Sequence, residues 1–186
     1  MKRIISILVV ALLALPAFTQ ELSKKEKRQL EKELKKEMQA EELAQKAGMV
    51  TAMVTYGRFV LEANTLRDKR GNSAIVSSDL NFVAADSTTG VIQIGQNAYV
   101  GRNGVGGITV EGSISDYSFT MHEKSGSYNI SYYLRTPAGT YDVRIVAYPD
   151  SRAEATVSSA TWGGRIVYSG YFVPPGISKV YKGMAL

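Results

Sequence analysis

"SYNISYYLRTPAGTYDVRIVAY", residues 127–148, decides how this chain folds. Tyr128, Ile130, Tyr132 and Leu134 alternate with Asn129, Ser131, Tyr133 and Arg135. A period of two places one set of side chains on one face of a strand. The rhythm breaks at "TPAG", 136–139, where Pro and Gly favour a turn. It then resumes with Tyr141, Val143, Ile145 and Ala147 on one face and Asp142 and Arg144 on the other. Two alternating runs around a turn read as an antiparallel hairpin with one apolar side.

The same rhythm extends in both directions. Phe59, Leu61 and Ala63 share a face, as do Ala153, Ala155 and Val157, and Ile166, Tyr168 and Phe172. Further strands are expected at Leu80–Ala84, Val91–Ile94, Ile108–Ile114 and Tyr117–Met121. Apolar parity is even from Ile108 to Ile114 and odd from Tyr117, which predicts a bulge near Ser115–Asp116. Turn chemistry separates the runs at 68–72, 86–90, 124–126 and 148–152. The fold class that follows is mainly β: an antiparallel meander of about eight or nine strands, with an N-terminal helix packed against it. Such a sheet closes as a small barrel or stacks as a sandwich, and the pattern leaves both open.

The N-terminal part has a different texture. Residues 1–19 read as a signal peptide: Lys2 and Arg3, an apolar run from Ile4 to Leu15, then small Ala17 and Thr19 before Gln20. The run is shorter than the roughly 20 apolar residues a bilayer span needs. Residues 20–47 are rich in helix formers, with Glu–Lys pairs four apart at 21/25, 31/35 and 42/46. This charged helix is expected to continue past Gly48 to about residue 56. Ala40, Leu43, Ala47, Val50 and Val54 make an apolar stripe that should dock on the β domain, which spans 57–175 ahead of a C-terminal tail at 176–186.

Composition excludes several function classes. There is no cysteine, hence no lipid-anchoring cysteine, disulfide or thiolate. The formal charge of +5 falls by two, to +3, without Lys2 and Arg3, and this mild excess does not call for nucleic acid. "GRNGVGG", 101–107, resembles a phosphate-binding loop only in its glycines. A strand, "ITVEGSI", follows it, where a phosphate site needs a helix N-terminus. Asn103-Gly104 instead suggests a type I′ turn, and the segment a flap beside a barrel mouth. His122 is the only histidine, so no second imidazole completes a metal site. No serine sits in a nucleophile elbow. No cofactor or metal is expected, and the expected class is noncatalytic.

Eleven tyrosines are the most suggestive feature. Tyr117, Tyr128, Tyr132, Tyr133, Tyr141, Tyr148, Tyr168 and Tyr171 fall in expected strands. They read as core packing, or as the lining of a polar-aromatic cavity. On the second reading Tyr99, Arg102, Asn103, Tyr128, Tyr132 and Tyr168 are the candidate ligand-binding residues.

"RFVLEANTLRDKRGN", "VSSDLNFV", "GGITVEGSISDY", "YDVRIVAY" and "GRIVYSGYFVP" resemble the domain-of-unknown-function family numbered 4251, over roughly residues 40–175. The resemblance implies an exported protein, chiefly of Bacteroidetes, with a compact β-rich domain and no catalytic residues to carry over. The expectation is a periplasmic or secreted protein that binds a small or lipidic ligand. The alternative is an envelope interaction module whose charged helix meets a protein partner.

Overall fold

The computed structural model of the protein describes residues 24–96, 103–159 and 163–185. One helix, α1 (Lys24–Tyr56), precedes nine strands: β1 (Arg58–Asp68), β2 (Ser73–Ile75), β3 (Phe82–Asp86), β4 (Thr89–Ile94), β5 (Ile108–His122), β6 (Ser127–Thr136), β7 (Gly139–Ala147), β8 (Arg152–Ser159) and β9 (Arg165–Val173). All pairings are antiparallel, and β9 returns to β1. β1 and β3–β9 therefore form a closed eight-stranded barrel, and a sandwich is excluded.

Closure rests on β1. Its residues 58–62 pair with β3 and its residues 60–68 with β9. One extra residue, Asn64, lies between the pairs Ala63–Gly170 and Thr65–Ser169, a bulge that bends the strand. β2 pairs with Thr65–Arg67 on the same side of β1 as β3. β2 and β3 are thus two pieces of one return strand, interrupted by residues 76–81. The expected bulge in β5 is present: the register shifts between Ser115 and Ser118, and Asp116 has φ 56°.

The alternating residues of every hairpin point inward. Phe59, Leu61, Tyr128, Ile130, Tyr132, Leu134, Val143, Ile145, Tyr168 and Phe172 belong to one buried cluster. Ala63, Ala85, Ala147, Ala153 and Ala155 supply the small positions that let these larger rings fit. Phe59 and Phe172 stack at 4.5 Å.

Ala40–Leu186 is one compact unit, and the helix before it, through Gln39, is a second. Within the larger unit, Val50, Met53 and Val54 are buried in the barrel cluster. Tyr117 Oη donates to Val54 O at 2.6 Å. Thr51 Oγ1 donates to Ala47 O, so Tyr128 Oη is the donor in its 3.0 Å contact with Thr51. The docking stripe is shorter than the sequence suggests. Ala40 and Leu43 are exposed, Leu43 at 47 %, and Met53 takes a place the spacing did not give it. Gly57, at φ 61°, ends the helix in the left-handed conformation that favours glycine and turns the chain into β1.

Residues 174–185 have no regular secondary structure, yet they are not a loose tail. Ser178 Oγ and Lys179 N both donate to Glu62 Oε1, at 2.7 and 3.0 Å. Tyr181 N donates to Asp79 O, and Met184 N to Asn103 O. Lys182 pairs with Glu111 at 2.9 Å. The segment is a strap across the outer face of β1, β4 and β5.

Candidate ligand-binding cavity

An eight-stranded barrel is just wide enough to be filled by side chains or to hold one small ligand. This barrel is filled at one end and open at the other. The end where β1 leaves the helix is filled by Val50, Met53 and Val54. Antiparallel alternation sends β4, β6 and β8 away from that end, so their connections to β5, β7 and β9 lie together at the other. There a cavity of about 320 Å³ opens.

Its wall is apolar for a local reason. The inward positions at the ends of β4 and β5 are Ile92, Ile94, Ile108 and Val110, with Ile94 paired to Ile108. β8 and β9 add Val157 and Ile166, and small Ala138 and Gly164 leave the space unfilled at the hairpin tips. Polar groups come from Tyr141 on β7, Ser159 on β8 and Tyr168 on β9. No charged side chain lines the cavity among the described residues.

Tyr168 is 1 % exposed, and its hydroxyl has no hydrogen-bond partner among the described residues. Burial, and after it the neighbouring Tyr141 phenol, holds its ionisation well above the usual phenol range. Burial also raises Tyr141. Both phenols are neutral at physiological pH.

The rim beside β4 and β5 is fixed from outside by a buried polar network. Gln93, fully buried, donates from Nε2 to Leu80 O (3.0 Å) and Tyr181 O (2.8 Å). Its Oε1 accepts from Thr109 Oγ1 and Gly183 N, both at 2.8 Å. Asn103 donates to Thr109 Oγ1 and accepts from Val105 N and Gly107 N at 3.1 and 2.9 Å. Asn81 exchanges hydrogen bonds with Gly95 N and Gly95 O. The described part of the glycine-rich segment, from Asn103 on, is therefore tied down rather than a free flap. Positive φ falls on Gly104 and Gly106 within it.

Of the four candidate residues that are described, Tyr168 alone lines the cavity. Tyr128 is engaged under the helix, Tyr132 stacks on Tyr117 at 6.1 Å, and Asn103 serves the outer network. Tyr99 and Arg102 lie outside the described residues, as does the expected signal peptide. The isoleucine lining was missed because apolar residues at strand spacing look like ordinary core. His122 is the exposed last residue of β5, beside the β5–β6 turn, with Nδ1 3.2 Å from Ser125 Oγ. No three His, Asp or Glu side chains cluster as a metal requires among the described residues.

A family model described as "Domain of unknown function (DUF4251)" matches residues 41–172. The chain is also similar to the crystal structure of a DUF4251 family protein from Bacteroides eggerthii DSM 20697, solved at 1.95 Å resolution. That likeness has 29 % identity and a TM-score of 0.61, and covers 73 % of this chain and 91 % of the other. No curated protein matches.

Proposed function

Since the chain belongs to the DUF4251 family, whose description names no activity, we propose from its own geometry that the barrel is a noncatalytic carrier of a small or lipidic ligand. The observation that supports this most is the cavity of about 320 Å³ at the open end of the barrel, with no charged side chain among its described lining residues. Its volume falls at the lower edge of the range of about 300–1,000 Å³ typical of ligand pockets. Export belongs to the same reading: Lys2, Arg3 and the apolar run to Leu15 have the form of a signal peptide. The protein then works in the periplasm or outside the cell.

The test uses N-phenyl-1-naphthylamine, a neutral dye that brightens in apolar sites. Wild type should bind it saturably. Ala138→Trp, which fills the cavity from a hairpin tip, should abolish binding while keeping the melting temperature within a few degrees. Equal binding by the folded variant, or none by wild type, would refute the carrier reading.

A second reading rests on the charged helix. Every residue from Lys25 to Gln45 is exposed, including Leu30, Leu34 and Met38. That surface suits an envelope protein partner. In-cell cross-linking of the full chain and of a chain lacking residues 21–38 decides it; identical adduct profiles would end this reading.

A further inference from the structure

We propose that the cavity selects neutral amphiphiles: an apolar body with a single hydroxyl or carbonyl group that pairs with the hydroxyl of Tyr168. The inference rests on the carrier reading and names the ligand class.

Three observations carry it. First, Tyr168 lines the cavity at 1 % exposure, and its hydroxyl has no partner among the described residues. With no protein partner at the cavity wall, that hydroxyl is free to donate to a ligand oxygen that reaches it. Second, no lysine, arginine or carboxylate lines the cavity among the described residues. An ionised head buried there without a counter-charge is penalised far more than a neutral one. Third, the remaining lining is chiefly isoleucine and valine, which favours an alkyl or ring body over a sugar or nucleotide. Burial also keeps Tyr168 protonated, so it remains a donor across the neutral range.

Tyr132 provides an internal control. Its hydroxyl is buried without a partner, whereas that of Tyr168 faces the cavity, and Tyr132 does not line this cavity. A general effect of removing an orphan hydroxyl from the core would appear in both Tyr132→Phe and Tyr168→Phe. A ligand contact would appear only in the second.

The experiment displaces N-phenyl-1-naphthylamine from the full chain with 1-octanol, octane, octanoate and octylammonium at neutral pH. Wild type should prefer 1-octanol to both ions by at least about tenfold. Tyr168→Phe should weaken 1-octanol by roughly 5- to 30-fold, the factor for one to two kcal/mol, and leave octane unchanged. Tyr132→Phe should keep the wild-type order. Dye binding with octanoate equal to 1-octanol, or with 1-octanol unaffected by Tyr168→Phe, would overturn this inference and leave the carrier reading standing. No dye binding by wild type would overturn both.

Discussion

Gln93 and Gly183, ninety residues apart in the chain, meet at 2.8 Å, with the backbone N–H of Gly183 donating to the carboxamide of Gln93. This contact fastens the C-terminal strap to β4. Gly183 is required by space: a Cβ there would lie 2.4 Å from Asn103 O and 2.9 Å from Val105 Cγ2. Gln93→Leu would leave the Gly183 N–H and the Tyr181 and Leu80 carbonyls without this partner. At about 1–3 kcal/mol for each of the two fully buried groups, with the part-buried Tyr181 carbonyl regaining water, a total loss of roughly 2–6 kcal/mol is expected. Gly183→Val should also destabilise, by about 1–3 kcal/mol, as overpacking does. Urea denaturation of both variants measures this; wild-type midpoints would mean that the strap contributes nothing.

The helix should divide sharply between residues that hold the barrel and residues that do not. Val50 is fully buried in the barrel cluster, whereas Leu43 is 47 % exposed. Val50→Asp should cost more than about 3 kcal/mol, because an unpaired carboxylate enters the core. Leu43→Asp should stay within about 0.5 kcal/mol of wild type. Thermal melts compare them directly, and equal losses would contradict the shorter docking stripe.

Asp116 stands in the left-handed region at φ 56° and creates the β5 bulge. The bulge shifts parity so that Tyr117 turns toward the helix and reaches Val54 O. A β-branched residue tolerates this conformation poorly. Asp116→Val should lose about 1–2 kcal/mol, and Asp116→Gly should remain within about 1 kcal/mol of wild type. Chemical denaturation checks the order; Val equal to Gly would show that the bulge does not need the left-handed backbone.

The inner face of the barrel was legible because burial imposes a period of two, and Phe59, Leu61, Tyr128, Ile130, Val143 and Ile145 all keep it. Closure was not. It depends on β1 meeting β9 across more than a hundred residues and on the Asn64 bulge, neither of which leaves a local signature. β2 was missed because Ser73, Ala74 and Ile75 are all exposed and carry no alternation in burial. The strap was hidden for a related reason. Gln93 and Thr109 occupy outward positions, which read as solvated, and only a distant segment buries them. Tyr168 was picked out by its residue type, while Ile92 and Ile94 keep the same strand spacing as the packed core, and Ile108, 54 % exposed at the open end, reads like any strand isoleucine.

Buried phenols make the fold sensitive to alkali. An unfolded tyrosine ionises near pH 10. In the folded protein burial raises Tyr117 to about 12, and burial raises Tyr132 and Tyr168 further. A raised folded-state value means that the unfolded chain releases its protons first. Stability is therefore fully present below pH 10 and declines above it, through the Tyr117 value of about 12. Tyr132→Phe isolates the effect, because Tyr132 Oη has no hydrogen bond to lose. The urea midpoint of wild type should fall relative to Tyr132→Phe as pH rises above 10, while the difference below pH 10 stays constant. Tyrosinate absorbance should show the Tyr132 and Tyr168 protons leaving only with unfolding. A wild-type midpoint that tracks the variant at every pH, or full tyrosinate absorbance before the unfolding transition, would show that water reaches these rings.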